Sequence, residues 1–171
     1  GATVEYSTDG GSTWGSSFTA SVGGNNVTVR QTDTAGNTSA TTNLIFTLDT
    51  SAAAPTVVLA TDSGSASDDL ITNDGSLTVT GETGATVEYS IDSGTSWGSS
   101  FAATEGDNTV QVRQTDVAGN VSDATTLTFT LDTTIAAPTV ALTTDAGSSA
   151  SDTITNDGTL SVTDTETAAT I

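Results

Sequence analysis

Hydrophobic and polar positions alternate in short runs along this chain, and no stretch shows a helical period. Residues 86–91 place Val87, Tyr89 and Ile91 on one side and Glu88 on the other. Residues 109–115 turn Val110 and Val112 inward and Arg113 outward, and 125–131 turn Leu127, Phe129 and Leu131 inward. A period of two marks a half-buried strand. Residues 76–80 alternate in the same way, 56–60 make a further strand, and Phe101 opens another short run. The runs are separated by turn-forming residues. Residues 52–55 form a linker, because Pro55 restricts its own φ and that of the residue before it. Residues 61–69 are a Ser/Gly/Asp loop too polar to be buried, 81–84 a turn, 92–94 a hairpin signal and 116–120 a loop.

The same pattern returns every 83 residues. Trp14 recurs as Trp97, Arg30 as Arg113, Pro55 as Pro138 and Asp74 as Asp157, and residues 1–50 match 84–133 at 34 of 50 positions without a gap. A fixed period means one structural unit made in tandem, and this period suits a complete small β-domain. Residues 51–133 are therefore read as one complete repeat. Residues 1–50 are the C-terminal part of an upstream repeat, and 134–171 the N-terminal part of a downstream one. About seven short strands per repeat, with regular turn signals, predict an all-β fold: tandem antiparallel immunoglobulin-like β-sandwiches. In that topology Glu88 and Arg113 lie on adjacent strands, both facing outward, and pair. Neither end piece closes a sandwich alone, so tail-to-head self-association of the end units is expected.

Charge narrows the partners. The formal net charge is −19, with 21 carboxylates set against Arg30 and Arg113 and neither Lys nor His. Such a surface repels nucleic acid phosphates and anionic lipid, so neither nucleic acid nor direct membrane insertion is expected. No signal peptide or transmembrane run is visible, and because the chain reads as an internal segment this says little about its parent. Alternation and recurring aromatics argue against disorder. Cysteine is absent, so no disulfide staples units that are only marginally stable at this size, and bound metal is the obvious supplement.

Without His or Cys, nucleophilic catalysis by a Ser-His or Cys-His pair is impossible. Every unit carries the same carboxylates in loops, which does not suit a glycosidase site, and the chain is read as a non-enzyme. Residues 7–14 and 90–97 fit the pattern Ser-x-Asp-x-Gly-x-Ser/Thr-Trp, which resembles the Asp-box of sialidases and related β-propellers. There it is a folding element away from the catalytic site. The expectation here is a well-made turn with a Trp buried beneath it, and the lesser reading is an aromatic exposed for sugar stacking.

The acidic loops point to calcium. The loop after the first strand holds Asp62, Asp68, Asp69, Asn73 and Asp74, and recurs with Asp145, Asp152, Asn156 and Asp157. Hard divalent cations take six to eight oxygens from carboxylates, amides and carbonyls, and Ser and Gly leave the backbone free to offer the last. Topology adds Glu82, Asp116 and Asn120 at the pole that receives the linker, with Asp123 nearby and Asp49 from the linker. Asp132 and Glu166 join the first loop at the opposite pole. Each joint is thereby expected to concentrate carboxylates that calcium would lock together.

These residues carry a family resemblance. The order Asp-x-Ile-Thr-Asn-Asp-Gly, Gly-Ala-Thr-Val-Glu-Tyr-Ser, Val-Arg-Gln-Thr-Asp-x-Ala-Gly-Asn and Leu-Asp-Thr resembles the bacterial immunoglobulin-like extender repeats of large RTX-type surface adhesins, over essentially the whole chain. The resemblance implies many such domains in series, export by type I secretion, and a parent anchored in the outer membrane and exposed on the bacterial cell surface. It also implies calcium at domain junctions, neighbouring repeats of the same chain as partners, and an adhesive ligand, as in biofilm attachment, bound elsewhere in the parent. In that pattern Asp49, Asp116 and Asp132 fit the junction and loop positions, and Asp62, Asp69 and Asp74 the acidic loop. The third copy departs from it by one extra residue before Glu166. The expected function is a calcium-rigidified stalk. The alternative is a carbohydrate-binding or accessory β-sandwich module of a secreted protein.

Overall fold

The computed structural model describes residues 1–64 and 66–163. Eleven strands run along these residues: β1 Thr3–Ser7, β2 Gly23–Thr32, β3 Thr42–Leu48, β4 Thr56–Leu59, β5 Ile71–Thr72, β6 Leu77–Thr80, β7 Thr86–Ser90, β8 Gly106–Thr115, β9 Thr125–Leu131, β10 Thr139–Leu142 and β11 Leu160–Thr163. Strands β4 to β9 build the middle unit as two sheets. One pairs β4 with β6 antiparallel, and the other has the order β5-β9-β8-β7. The unit is all-β, and its ladders are antiparallel except for the short parallel pairing of β5 with the end of β9.

The two sheets meet through the residues that alternation turns inward. Val57 of β4 packs on Val110 and Val112 of β8, and both valines are fully buried. Leu59 packs on Phe129 and Leu131 of β9. Leu77 and Phe101 touch both clusters and make them one core. Phe101 meets Phe129 edge-on at 6.2 Å and Tyr89 at 6.4 Å. The chain after the hairpin crosses the open end of the sandwich closely enough that a Cβ on Gly75 would lie 2.4 Å from the Cβ of Ala103. Glycine is the only residue that fits at position 75 without displacing backbone.

Three expectations change. The run opened by Phe101 forms no strand, so the described residues of the unit make six strands where about seven were expected. Residues 91–105 are occupied by the turn and its return, and Phe101 enters the core from irregular backbone. Ile91 does not face inward with Val87 and Tyr89. It lies one residue past the end of β7, in the turn, and is 76% exposed. Conversely, Ile71–Thr72 forms β5 inside a stretch read as loop.

The end pieces reproduce the middle unit in halves. Strands β1-β2-β3 repeat β7-β8-β9 in the same register, and β10-β11 repeat β4-β6, with Val140 opposite Val162 as Val57 is opposite Val79. The inward faces of the halves are less covered than those of the middle unit, although Val27 stays buried. Val140 is 60% exposed where Val57 is 7%, and Leu44 is 57% exposed where its counterpart Leu127 is half-buried.

The bridging role of Phe101 makes it the most sensitive core position outside a strand. Phe101→Ala is expected to destabilise the middle unit by about 3 kcal/mol, read as a lower denaturation midpoint in urea. Phe18→Ala, the equivalent change in the first piece, should leave that midpoint unmoved.

Candidate functional site: acidic turns and the fastened linker

The expected ligands are mostly turn-makers. Asp49 accepts from the Ser51 N–H at 3.2 Å, Asp69 from Ile71 at 3.0 Å, Asp74 from Ser76 at 3.0 Å and Asp132 from Thr134 at 3.2 Å. Asp152 accepts from Ile154, and Asp157 from Thr159, each at 3.0 Å. Each is a carboxylate capping the backbone two residues on, the local bond that makes Asp a turn residue. Asp116 takes both the N–H and the side-chain amide of Asn120 at 2.8 Å, closing the loop between β8 and β9. Donors hold the carboxyls of Asp74, Asp116 and Asp157 below their usual range: chiefly the Ser76 hydroxyl, the Asn120 amide and the Thr159 hydroxyl respectively.

The first loop is a repeated construction. The Thr72 hydroxyl, nearly fully buried, donates to the carbonyls of Thr61 and Asp74, and Ser63 bonds both the side chain and the N–H of Asn73. In the third piece Thr155 bonds the Thr144 and Asp157 carbonyls identically. Leu70 and its counterpart Thr153 both sit at φ near +60°, a left-handed conformation unfavourable for side chains of this kind. Their N–H groups point at Asp62 Oδ2 (3.2 Å) and Asp145 Oδ2 (3.0 Å). The other oxygen of each carboxylate, Asp62 Oδ1 and Asp145 Oδ1, is shielded from solvent and receives no hydrogen bond.

Among the described residues no three acidic side chains converge as a ready metal cluster. Asp62, Asp69, Asn73 and Asp74 share one loop but face separate donors, and Asp49 caps its own turn. Glu166 lies outside the described residues.

Glu82, expected as a junction ligand, holds the linker. Its Oε1 accepts the Ala53 N–H at 2.7 Å. The carbonyl of the same residue accepts from Gln114 Nε2 at 2.7 Å, while Gln114 Oε1 accepts the N–H of Glu82 at 2.9 Å. Gln114 is fully buried and sits at the end of β8, at the third inward position after Val110 and Val112. A Cβ on Gly81 would lie 2.1 Å from Gln114 Oε1, so position 81 is kept bare to admit the amide. Pro55, also buried, offers its carbonyl to the Thr125 hydroxyl. At the far end of the unit Glu105 accepts from the N–H and hydroxyl of Thr133. Both chain segments that leave the unit are thus fastened to it by side chains. Sequence reasoning missed Gln114, although a polar residue at an inward strand position, repeated as Gln31, is a visible signal.

The outer face carries a second repeated group. Glu88 and Arg113 pair at 3.0 Å across β7 and β8, as Glu5 and Arg30 do at 2.9 Å across β1 and β2, which bears out the expected pairing. Each guanidinium also lies over a Trp ring, Arg113 at 4.1 Å from Trp97 and Arg30 at 4.0 Å from Trp14. The Trp is therefore half-buried on the outer face, clamped under Arg, where a Trp buried beneath the turn was expected. Its indole N–H donates back to Gly94 O at 3.1 Å. Asp92 accepts from Ser90 and from the backbone and hydroxyl of Ser96. Those bonds, led by the Ser96 hydroxyl, draw its carboxyl down to about 2.

Among the described residues no helix is long and apolar enough to cross a membrane. Two predictions follow from the turn and linker chemistry. Gly81→Ala and Gln114→Ala should each free the linker and lower the stability of the middle unit, by about 1–3 kcal/mol for the glutamine, seen in thermal melts and as faster exchange of the Ala53 amide. Because the folded pKa of Asp92 lies below its ordinary 3.8, the stability it contributes is full above that value and fades as pH falls toward 2. Asp92→Asn should therefore flatten the acid limb of the stability profile between roughly pH 4 and 2.

No curated protein matches the chain. Among solved structures, the fibronectin(III)-like modules of Clostridium thermocellum CbhA are similar at 18% identity and a TM-score of 0.36, over 75% of this chain and 76% of that one. Residues 51–133, the unit that builds the complete two-sheet sandwich, match the family model described as a bacterial Ig-like domain.

Proposed function

We propose that the chain is a run of non-catalytic spacer domains in a bacterial surface protein. It sets the reach and direction of a binding region carried elsewhere in the parent. The observation that carries this reading is the grip on the linker: Glu82 and buried Gln114 take both the N–H and the carbonyl of Ala53. A segment held at both polar groups cannot swivel freely, and a stalk needs units whose exits are fixed. The resemblance to extender repeats of RTX-type adhesins supports the same reading and brings with it type I secretion and attachment at the outer membrane.

Calcium is part of the proposal. The orphaned, shielded oxygens of Asp62 and Asp145 fit a cation, because a buried carboxylate oxygen without a donor calls for a positive partner or an ordered water. Its recurrence in two copies, beside the same left-handed residue, supports a built feature. Asp62 would provide the charged ligand in the middle unit and Asp145 in the third piece. Carbonyls and water would supply the rest, since the neighbouring carboxylates are engaged in turns. Bound there, the ion would neutralise charge and brace the loop that carries β5. The carbohydrate-binding alternative loses support from the clamp, because Arg113 already covers the Trp97 ring.

Thermal unfolding and small-angle scattering in EDTA and in millimolar calcium test both parts. At extracellular-type affinities calcium should add about 1–3 kcal/mol and raise the midpoint by several degrees. The double variant Asp62→Asn, Asp145→Asn should abolish that rise while keeping one acceptor for each turn. A midpoint indifferent to calcium would remove the ion from the proposal. A scattering curve showing freely jointed units in calcium would remove the spacer.

A further inference from the structure

We propose that the open edge of β6 is a docking site for an extended, cationic segment of a partner protein, which adds a strand in the cleft between that edge and residues 99–103. The site lies on the flank of the complete middle unit and does not rest on the linker grip or on calcium. β6 pairs with β4 alone. The Ala60 N–H donates to the Ser76 carbonyl, and the register runs on through Val58 opposite Thr78 and Thr56 opposite Thr80. Hydrogen-bonded pairs alternate along an antiparallel ladder. The N–H and C=O groups of Leu77 and Val79 therefore point away from β4, and among the described residues nothing pairs with them. The opposite rim is the run opened by Phe101, where a strand was expected and none forms. From Ser99 to Ala103 its backbone makes no hydrogen bond to any described residue.

Between the rims lies a cleft of about 360 Å³. Its floor is Tyr89 stacked on Phe101, with ring centroids 6.4 Å apart and Leu77 beside them. It closes at one end, where Ala103 comes up against Gly75. An unpaired strand edge is a template for another strand, and recognition by strand addition uses such edges. A strand seated here meets free backbone groups on both sides, and its side chains divide by alternation. Those turned inward meet the two rings and Leu77, which suits small apolar residues. Those turned outward meet a unit whose only basic side chain, Arg113, is set against twelve carboxylates, which suits Lys or Arg. The same charge disfavours a second copy of this chain as the occupant, because its strands arrive with a surface of like sign. Both rims are already in place, so little ordering opposes binding.

Isothermal titration of the full chain with a blocked peptide of alternating valine and lysine tests this, with amide hydrogen exchange locating the contact. The expected result is binding that slows exchange at Leu77 and Val79 and within residues 99–103. The same peptide N-methylated at alternate residues keeps its charge and side chains but loses the donors of one edge, and its affinity should fall about tenfold. Val79→Pro removes an outward donor of β6 and leaves the β4 ladder intact, since an edge strand tolerates proline where its N–H faces solvent. It should weaken the parent peptide, with the melt of the middle unit reporting that the fold is kept. An N-methylated peptide that binds as tightly as its parent would reduce the contact to bulk charge attraction and overturn the proposal. So would absence of binding, protection confined to other strands, or an equally tight peptide of alternating valine and glutamate. Protection of Leu77 and Val79 that rises with protein concentration alone would give the edge to a second copy and overturn the cationic partner.

Discussion

Every part of this molecule answers to one constraint: a small twisted sheet with one apolar face has to have that face covered. The β9-β8-β7 sheet turns Val110, Val112, Phe129 and Leu131 to one side, and the two-stranded β4-β6 sheet, with Phe101, covers them. The two-stranded sheet is marginally stable at best without a partner layer, and the four-stranded sheet would leave its apolar face in water. The chain order makes the dependence acute. The covering strands come first in each unit and the covered strands last, so any segment that begins or ends inside a unit presents one half without the other. The exposure of Val140 against the burial of its counterpart Val57 is that dependence expressed at a single position.

Direction between units is set by polar chemistry at the edge of the same core. β8 continues its inward row past Val112 with Gln114, where the sandwich opens toward the arriving linker. An amide there can satisfy one donor and one acceptor at once, whereas a charged side chain would bring an unpaired charge into a buried position. Gly81 is the complement: its missing side chain is the space the amide occupies. The linker is consequently part of the unit that follows it, and the distinction between linker and domain drawn from Pro55 dissolves once Ala53 and Pro55 are seen to be held.

The strands were legible because a period of two survives wherever a ladder has one wet face. β4, β6, β7, β8 and β9 follow that pattern, and the Glu88–Arg113 pair fell out of hairpin register. What was not legible depended on tertiary contact. Ile91 continues the alternation of β7 in sequence, yet the hairpin turn has begun there and the pattern no longer reports burial. Phe101 is buried without a ladder, because its position is fixed by the rings of Tyr89 and Phe129. Trp97 was expected buried beneath its turn, but an arginine on the next strand gives the ring a partner on the outer face and leaves it half-buried. The acidic residues were read as one class, whereas the fold divides them. Asp69, Asp74 and Asp116 cap turns, Glu82 holds a linker, and Asp62 keeps one oxygen with no donor. Sequence shows which residues are acidic; only the path of the backbone shows which carboxylate has a donor within reach.

The division of the carboxylates also explains how such similar units coexist in one chain. Neighbours that agree at 34 of 50 positions offer each other near-perfect substitute strands, the condition under which tandem repeats exchange elements and misassemble. Turn carboxylates oppose this twice. Local hydrogen bonds hold each turn without help from distant strands, and the unneutralised charge sets separate copies against each other. Whatever neutralises that charge, salt or a bound cation, stabilises the folded unit and lowers the barrier between copies together. A chain of this design is therefore safest while its concentration is low and each covering strand meets the sheet nearest to it in sequence. Fastening the linker at Ala53 serves that arrangement, because it holds the residues just before β4 against β4's own unit.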